Sequence, residues 1–492
     1  MTLPLPPRVR PLSGELFARA VLVLADLRDE PVFGIARLDA AVRHLHVTGH
    51  SGPALAGLPG DGGAQPVFVA GLDGEGPQTL RTRAAEALAL VQAHGHAACT
   101  VVLPDLDAAR AQAIAEGLFS ANHRFRSTGP ARDARPSIED IDFVAAGTAA
   151  EGLHAGWLTS LAALSARDLA SEPANALTPP AFVERCKALA GEAGFDLTVM
   201  ARADLEAAGM AGLLTVAAGS RYEPYLVRMD WRPDGVAAAR PLVLVGKTVT
   251  FDSGGISLKK AEDMDHMKAD MGGGAAVFGA MRMVAALKPS LPVTAVFAVV
   301  ENMPGPDAMR PSDVIRMGSG LTVEIINTDA EGRLILADAL HYAAGLEPAA
   351  VIDLATLTGA TLGIFGPLGV ATFANDDGWF ARLERADRKA GEKVWRLPLW
   401  PEYQAFLKSP VADLRNFSTT GQSGSTPIAA SFLSRFVGEH PWLHLDLYNT
   451  CWNRQDSALM PQGPTGSGTR VLAQLILDLA TEADPTKPDP VS

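Results

Sequence analysis

The sequence predicts an α/β protein in which a smaller N-terminal α/β domain (residues 1–150) precedes a C-terminal domain (residues 151–492) with a mainly parallel or mixed sheet flanked by helices. Three observations support this fold. The chain has 492 residues, which is long for one ordinary domain. Short apolar runs alternate with alanine-rich helical segments, a pattern typical of sheets covered by helices. A segment rich in Arg, Gly and Pro at residues 124–136 is the predicted linker.

The alternation of strands and helices can be followed through both domains. In the N-terminal domain, the predicted strands are residues 20–24, 66–70 and 100–103, and the predicted helices are residues 82–93 and 108–119. In the C-terminal domain, the predicted strands are residues 242–245, 293–300 and 351–354, and the predicted helices are residues 153–169, 275–287 and 334–344. Thr178 is the predicted N-cap of a further helix that begins at Pro179. Ligands are expected at the carboxyl ends of the parallel strands.

Composition argues against several classes of protein. A hydrophobic content of 48% with 20% charged residues indicates a globular chain with a large core. The net charge of −13 (42 − 55) disfavours nonspecific binding to nucleic acid or to an anionic membrane. The three scattered cysteines favour a reducing compartment. The uncharged run at residues 354–374 contains four glycines and four threonines, and therefore indicates a buried strand and loops instead of a membrane span. We expect a soluble cytoplasmic protein without a secretory signal.

Acidic side chains that could carry chemistry are concentrated in one part of the C-terminal domain. Asp252, Asp270, Asp329 and Glu331 each stand near small residues that let the backbone and a ligand come close. An aspartate beside a glycine is common in turns and caps, so no single one of these residues indicates a site. Four carboxylates in one pocket would repel one another and become protonated unless cations were present. Two divalent ions bridged by shared carboxylates would resolve this repulsion and could drive hydrolysis.

Three strings lie in this region: NTDAEGRL (residues 327–334), FDSGGISLK (residues 251–259) and MKADMGG (residues 267–273). They resemble the metal-binding segments of the leucyl aminopeptidase (cytosolic aminopeptidase) family. Further matches are ENMP (residues 301–304), RPSDV (residues 310–314), DLATLTGA (residues 353–360) and HLDL (residues 444–447). The resemblance covers residues 172–477, and the NTDAEGRL string is highly specific. It implies a metal-dependent peptidase that removes residues from the free N-terminus of peptides.

The resemblance implies a centre of two divalent metal ions per subunit, Mn²⁺ or Zn²⁺. It assigns Lys247, Asp252, Asp270 and Glu331 to the tighter ion. It assigns Asp252, Asp329 and Glu331 to the more exchangeable ion, so that Asp252 and Glu331 are shared. A lysine ligand must be neutral to donate its lone pair, and the neighbouring dication would lower its pKa.

The same resemblance assigns catalytic and substrate-binding groups. Lys259 is expected to stay charged and to hydrogen-bond the scissile carbonyl. Arg333 is expected to hold a bicarbonate that acts as general base, since a guanidinium cannot itself accept a proton. The residues expected around the substrate's first residue are Met267, Asn327, Thr356, Gly359 and Tyr448. The family also implies a homo-hexamer that acts on peptides with a free N-terminus.

Two positions depart from the family pattern. Thr248 follows Lys247 where the family has glycine, and it would displace the lysine if this position needed a positive φ. Tyr448 stands where the family has an alanine in the first-residue pocket. The pocket is therefore narrowed, or prefers a polar or aromatic residue. The reaction type is unaffected by this change, and the first-residue specificity stays open.

The same residues allow functions other than that of an aminopeptidase. A two-metal amidase or other metallohydrolase could use the same ions, and a catalytically idle homologue could serve as a structural or binding protein. The idle homologue is disfavoured because the matching positions all keep the required residue type. Residues 243–248 resemble the end of a phosphate-binding loop, but Pro241 stands at the required first glycine. The histidine pairs at 44 and 46 and at 94 and 96 are more typical of solvated or capped side chains than of metal ligands.

Overall fold

The structure is a computed structural model. It describes residues 4–10, 20–25, 54–56, 67–72, 76–103, 106–125, 137–145, 147–234, 239–418 and 424–482. The chain forms two compact units: unit 1 comprises Met1–Leu164, Arg388–Gly391 and Arg454–Gln462, and unit 2 comprises Ser165–Asp387, Glu392–Asn453 and Gly463–Ser492. Most of the predicted linker lies outside the described residues, as do His44 and His46. The domain boundary at residues 150 and 151 stays a prediction.

Unit 1 contains a six-stranded sheet. Its strands are β1 (Arg8–Arg10), β2 (Ala20–Ala25), β3 (Ala54–Ala56), β4 (Val67–Gly71), β5 (Ala98–Val102) and β6 (Asp140–Val144), in the order β1-β6-β5-β2-β4-β3. All neighbours are parallel except β3 and β4. The helices are α1 (Pro77–Ala93), α2 (Ala108–Asn122) and α3 (Ala149–Ser171), and the last of these crosses the division at Leu164. The predicted strands and helices of this part of the chain are confirmed.

Unit 2 is built on an eight-stranded mixed sheet. Its strands are β7 (Asp196–Met200), β8 (Tyr225–Trp231), β9 (Leu242–Asp252), β10 (Val293–Asn302), β13 (Ala350–Ala355), β14 (Val370–Ala374), β15 (Val394–Arg396) and β17 (Trp442–Asp446). They lie in the order β15-β14-β17-β13-β9-β10-β8-β7. The four central strands are parallel, whereas β8 and β14 run antiparallel to their inner neighbours. The predicted mixed α/β fold is confirmed.

The remaining elements of unit 2 lie outside this sheet, and their strands form a three-stranded sheet and a two-stranded sheet. The smaller strands are β11 (Val314–Arg316), β12 (Thr322–Glu324), β16 (Leu414–Arg415), β18 (Trp452–Asn453) and β19 (Gly463–Pro464). The helices are α4 (Pro179–Ala193), α5 (Arg202–Ala207), α6 (Ala211–Ala217), α7 (Gly272–Leu287), α8 (Gly332–Ala344), α9 (Thr361–Phe365), α10 (Asp377–Ala390), α11 (Ser425–Leu433) and α12 (Thr469–Glu482). Two 3₁₀ helices span Met264–Ala269 and Pro401–Leu407.

Local sequence explains where several of these elements begin. Thr178 caps α4 as predicted, because its side chain accepts a hydrogen bond from Ala181 N and Pro179 is the first helical residue. The uncharged run at residues 354–374 forms the end of β13, the short helix α9 and β14, in keeping with the predicted strand and loops. In the part of the chain that the structure describes, no helix combines the length and apolar character needed to cross a membrane.

The central strand β9 is buried along almost its whole length because helices α7 and α8 pack against it. Close approach of α7 to the sheet depends on Gly273, since a Cβ atom there would lie 1.9 Å from the carbonyl oxygen of Leu354 in β13. The parallel strands β9, β10, β13 and β17 end at the same edge of the sheet. This edge is therefore where functional side chains are expected to meet.

We predict that Gly273→Ala lowers the free energy of unfolding by about 1–3 kcal/mol or more, because the added methyl group overlaps backbone that cannot rotate away. The matched control is Gly191→Ala in α4, where a Cβ atom meets nothing within 4 Å. That change should stabilise the protein by up to about 1 kcal/mol, because alanine favours the helix. Urea denaturation of both variants tests the pair, and equal midpoints would contradict this account of the α7 contact.

Candidate active site

The four predicted carboxylates meet at the carboxyl edge of the central strands. Asp252 is the last residue of β9, and Asp270 directly follows the 3₁₀ helix Met264–Ala269. Asp329 and Glu331 lie in the turn that leads into α8. Carboxylate oxygens of Asp252, Asp329 and Glu331 all lie within 4.8 Å of one another. Within the described ranges, this is the group of His, Cys, Asp and Glu side chains with the spacing of metal ligands.

Lys247 lies at the buried side of this cluster. Its Nζ atom is 2.9 Å from Asp270 Oδ1 and 2.9 Å from Glu331 Oε1, and it donates a hydrogen bond of 2.9 Å to the carbonyl oxygen of Thr356. The lysine reaches this position beside the first residue of α8. Any side chain at Gly332 would obstruct it, because a Cβ atom there would be 2.6 Å from Lys247 Cε.

Lys259 lies at the more open side of the cluster. Its Nζ atom is 2.8 Å from Asp252 Oδ2 and 2.5 Å from Asp329 Oδ1. The side chains of Lys259 and Asp329 are 21% and 33% exposed, whereas that of Asp252 is 3% exposed. The ammonium group therefore bridges two carboxylates at a position that solvent can reach.

The carboxylates outnumber the cationic groups that compensate them. Four carboxylates and two ammonium groups give a net charge of −2 (2 − 4) when all are ionised. Burial, and then the charge of Asp252, raise the pKa of Glu331 to about 8. The same two causes raise the pKa of Asp270 to about 6, against the opposing effect of Lys247. A pKa above neutrality favours the protonated form of Glu331, and added positive charge in the cluster would favour its ionised form.

The donor set fits divalent cations. Carboxylate oxygens are favoured ligands of hard and borderline dications. Glu331 is 1% exposed, and its Oε2 atom has no hydrogen-bond partner among the described residues. A buried carboxylate oxygen without a partner is costly, and a metal ion would satisfy it. The residues therefore suit a metal centre.

Both lysines carry a proton in this arrangement. Burial alone would lower the pKa of Lys247, but the nearby carboxylates, first Asp270 and then Glu331, raise it. The pKa of Lys259 is likewise raised, chiefly by Asp252, against the effect of burial. Lys247 can become a ligand only by losing this proton. Because a dication among the same carboxylates would repel the ammonium charge, metal binding and deprotonation of Lys247 are expected to be linked.

Arg333 is the second residue of α8 and is buried beside the cluster. Its Nη1 atom donates a hydrogen bond of 2.8 Å to the carbonyl oxygen of Asn416, and its guanidinium lies 5.8 Å from the ring centroid of Phe417. Burial lowers its pKa to about 10, so the group remains charged at neutral pH. Its Nε atom makes no hydrogen bond within the described residues. This unused donor suits an anion.

The residues expected around the substrate border the acidic cluster. Thr356 Oγ1 donates a hydrogen bond of 2.8 Å to Asp270 Oδ1. Tyr448 is half-buried and lies over Gly359, where a Cβ atom would be 3.5 Å from the tyrosine ring. Burial raises the pKa of Tyr448, and Asp270 raises it further. Met267 is half-buried in the 3₁₀ helix that precedes Asp270. Thr356 therefore contacts the cluster directly, Tyr448 lies beside Gly359, and Met267 belongs to the segment that carries Asp270.

Asn327 and Thr248 have local structural partners. Asn327 Oδ1 accepts a hydrogen bond of 2.9 Å from Asp329 N and so shapes the turn that carries this carboxylate. Thr248 lies within β9 and is not among the residues with positive φ. Its Oγ1 atom donates a hydrogen bond of 3.1 Å to the carbonyl oxygen of Gly246. A β-branched residue therefore fits beside Lys247 without backbone strain.

Sequence reasoning missed three polar residues that hold the cluster in place. Asn302 donates a hydrogen bond of 2.8 Å to Asp252 Oδ1 from the end of β10. Asn416 accepts a hydrogen bond of 2.7 Å from Ile326 N and donates one of 2.7 Å to the carbonyl oxygen of Asn327. Asp446 holds the loop after β13 through its carboxylate. Asn302 and Asp446 lie in the ENMP and HLDL strings, whereas no motif marks Asn416.

The side chains of His94 and His96 in unit 1 make packing and hydrogen-bond contacts. The rings of His94 and His96 lie 5.2 Å and 5.8 Å from the ring of Phe68, in edge-to-face arrangements. His94 Nδ1 is 2.9 Å from the carbonyl oxygen of Leu90. These contacts agree with capped and packed side chains.

Known proteins resemble this chain along most of its length. The sequence profile described as "Cytosol aminopeptidase family, catalytic domain" matches residues 164–473. A protein named "Probable cytosol aminopeptidase" from Syntrophotalea carbinolica is 46% identical over 373 residues, which cover 74% of each chain. Another of the same name, from Parasynechococcus marenigrum, is 40% identical over 472 residues and covers 93% of this chain and 96% of its own.

A solved structure is also similar to the whole fold. The protein described as "Bottromycin maturation enzyme BotP in complex with Mn" superposes with a TM-score of 0.81 at 33% sequence identity. The match covers 94% of this chain and 100% of the other chain. The likeness therefore extends beyond the region matched by the family profile.

We predict that Mn²⁺ or Zn²⁺ raises the melting temperature of protein first stripped of metal by a chelator, because a ligand that binds the native state stabilises it by mass action. At about 100 times Kd the gain is about 2.7 kcal/mol. Glu331→Gln should reduce this gain sharply, since the carboxylate that approaches both Asp252 and Asp329 is lost. Differential scanning calorimetry with and without added metal measures the change.

The matched control for this experiment is Asp338→Asn. Asp338 is also buried in α8, but its carboxylate accepts a hydrogen bond of 3.0 Å from Leu213 N instead of joining the acidic cluster. The control should keep the full response to metal. An undiminished response in Glu331→Gln would show that this residue is not a ligand.

Proposed function

The chain belongs to the cytosol aminopeptidase family, and from that premise we propose that it hydrolyses the N-terminal peptide bond of peptides by means of two divalent ions. Membership makes the chain a peptide hydrolase and a metal-dependent aminopeptidase. The observation that carries the two-ion proposal is the buried cluster, in which four carboxylates face two ammonium groups and Glu331 Oε2 has no partner in the described part of the chain.

We assign the ligands as the family resemblance implies. Lys247, Asp252, Asp270 and Glu331 would hold the tighter ion, and Asp252, Asp329 and Glu331 the more exchangeable one. The mutual approach of the last three carboxylates, within 4.8 Å, supports the second set. The position of Lys247 Nζ, 2.8 Å from Asp270 Oδ2 and 2.9 Å from Glu331 Oε1, supports the first.

When bound, the ions would hold the free α-amine of the substrate, activate a water and polarise the scissile carbonyl. Lys259 would supply a charged donor to the oxygen that becomes negative in the transition state. Its raised pKa keeps this ammonium group protonated at neutral pH. Arg333 would hold the bicarbonate that accepts a proton, and its unused Nε donor in the described structure supports binding of an anion there.

First-residue specificity would depend on Met267, Thr356, Gly359 and Tyr448, with Asn327 nearby. The contact of the Tyr448 ring with Gly359 supports a narrowed pocket. The Tyr448 hydroxyl makes no hydrogen bond among the described residues, which leaves it available to a polar group of the substrate.

The finer properties of the enzyme follow from the resemblance. Mn²⁺ is the first metal to test, because the similar structure of BotP is described in complex with Mn, and Zn²⁺ is the second. A homo-hexamer in the cytoplasm is proposed from the family alone. A two-metal amidase and an idle homologue are the alternative outcomes of the assays that follow.

We expect purified protein supplied with Mn²⁺ or Zn²⁺ to hydrolyse aminoacyl-anilides and to leave their N-acetylated counterparts intact. Acetylation removes the basicity of the α-amine, which can then no longer coordinate an ion. Release of aniline, followed by absorbance across a panel of first residues, measures both activity and specificity. Equal turnover of the acetylated substrates would indicate an amidase, and no turnover of any substrate in metal-loaded protein would indicate an idle homologue.

We predict that Lys259→Met lowers kcat by about 10²–10³-fold, the usual effect of removing one donor to a developing oxyanion. Metal content, measured by elemental analysis, should be retained. The matched control is Lys260→Met, which removes an exposed neighbouring lysine and should leave kcat unchanged. An unaltered kcat in the Lys259 variant would exclude this lysine from the reaction.

A further inference from the structure

Asp446 is a fully buried carboxylate at the end of β17 that makes hydrogen bonds to two loops of the active site. Its Oδ1 atom accepts hydrogen bonds from Leu357 N at 3.0 Å, Thr358 N at 3.2 Å and Tyr448 N at 3.3 Å. Its Oδ2 atom accepts one from Thr358 Oγ1 at 2.6 Å. One side chain therefore connects the loop after β13 with the loop after β17.

The sheet register explains how a single residue reaches both loops. Strands β13 and β17 are parallel, and Ala355 at the end of β13 pairs with Asp446. The chain leaves the sheet at this point in both strands. Its backbone N–H groups therefore lose their partners in the sheet, and the Asp446 carboxylate satisfies three of them.

The loop after β13 leads directly to the proposed metal ligands. The carbonyl oxygen of Thr356 accepts a hydrogen bond of 2.9 Å from Lys247 Nζ, and its hydroxyl donates one of 2.8 Å to Asp270 Oδ1. Thr356 adjoins Leu357, whose N–H is bound by Asp446. A shift of this loop would move the groups that orient Lys247 and Asp270.

The same hydrogen bonds hold the two residues expected to limit the first-residue pocket. Gly359 follows Thr358 in the loop after β13, and Tyr448 is the second residue of the loop after β17. The tyrosine ring lies over Gly359, so their separation depends on how the two loops are held. Asp446 holds the loop on each side of this contact.

We propose that Asp446 is a positioning residue that aligns Lys247 and Asp270 for metal binding and sets the gap between Gly359 and Tyr448 for the first side chain of the substrate. The proposal rests on the proposed function of the site. Asp446 acts through Leu357, Thr358 and Tyr448, and in the described structure no hydrogen bond joins it directly to the four carboxylates.

The hydrogen bonds at position 446 favour a carboxylate over an amide. Asp446 accepts four hydrogen bonds and donates none, which suits an ionised side chain. An asparagine would turn an NH₂ group either toward the three backbone N–H groups or toward the Thr358 hydroxyl. Thr358 Oγ1 also lies 2.7 Å from Thr426 Oγ1, so reorientation of this hydroxyl would disturb a second contact. Asp446→Asn should therefore loosen the loop while keeping the size of the side chain.

The test compares wild-type protein with Asp446→Asn. We expect hydrogen exchange, followed by mass spectrometry of a peptide covering residues 350–360, to be about tenfold faster in the variant. Calorimetric titration of metal-free protein with Mn²⁺ should show about tenfold weaker binding of the tighter ion, a size typical of groups that orient metal ligands. The ratio of kcat/KM for alanyl- and leucyl-anilides should also change in the variant.

Two further variants keep the test decisive if Asp446→Asn does not fold. Thr358→Val removes the hydroxyl that donates a hydrogen bond to Asp446 Oδ2, whereas Thr358→Ser retains this hydroxyl. The valine variant should weaken Mn²⁺ binding and the serine variant should restore it. Asp338→Asn is the control for a buried carboxylate that accepts a backbone N–H elsewhere, and it should bind Mn²⁺ like the wild type.

The outcomes separate this proposal from the proposed function. Wild-type Mn²⁺ affinity and an unchanged anilide ratio in Asp446→Asn, whatever its melting temperature, would overturn the positioning role. If wild-type protein binds Mn²⁺ without hydrolysing anilides, the peptidase proposal fails, while the ratio of Mn²⁺ affinities still decides the role of Asp446. If wild-type protein binds neither Mn²⁺ nor Zn²⁺, both proposals are overturned.

Discussion

Electrostatic repulsion within the acidic cluster is the constraint on which the rest of the site depends. Four carboxylates lie at one edge of the sheet, and in the described structure Lys247 and Lys259 bridge them in pairs. Burial, and then the charge of Asp252, raise the pKa of Glu331 to about 8, and the two ammonium groups do not offset these effects. Dications would cancel it, and they would also change the roles of the two lysines. Lys247 could then become a neutral ligand, and Lys259 could turn its charge toward a substrate.

The fold brings these groups together because parallel strands end at a common edge. Asp252 and Asn302 are paired at the ends of β9 and β10, and Ala355 and Asp446 are paired at the ends of β13 and β17. Where the strands end, side chains add hydrogen bonds to those of the sheet. Asn302, for example, donates one from its side chain to Asp252 Oδ1. Asn302 and Asp446 therefore support the site through hydrogen bonds to other residues of the protein.

The same arrangement places the acidic cluster and the residues proposed to determine specificity on different segments of the chain. The carboxylates and lysines belong to β9, to the segment between β9 and α7 and to the turn before α8, whereas Tyr448 and Gly359 belong to the loops after β17 and β13. A change of the residue at position 448 would therefore alter the proposed pocket without replacing a member of the acidic cluster. Asp446 joins the two parts, because it binds the loop that also orients Lys247.

The sequence by itself determined the α/β class, the main strands and helices, and the identity of the residues in the cluster, because periodicity and short motifs are local properties of a chain. It also identified Thr178 as a helix cap from two adjacent residues. Only the tertiary structure decided that Thr248 fits within β9 without positive φ, and that Asn416 braces the turn before α8. Asn416 lies about 90 positions away from the residues it holds. Contacts of this kind arise when strands distant in sequence become neighbours, and no local pattern records them.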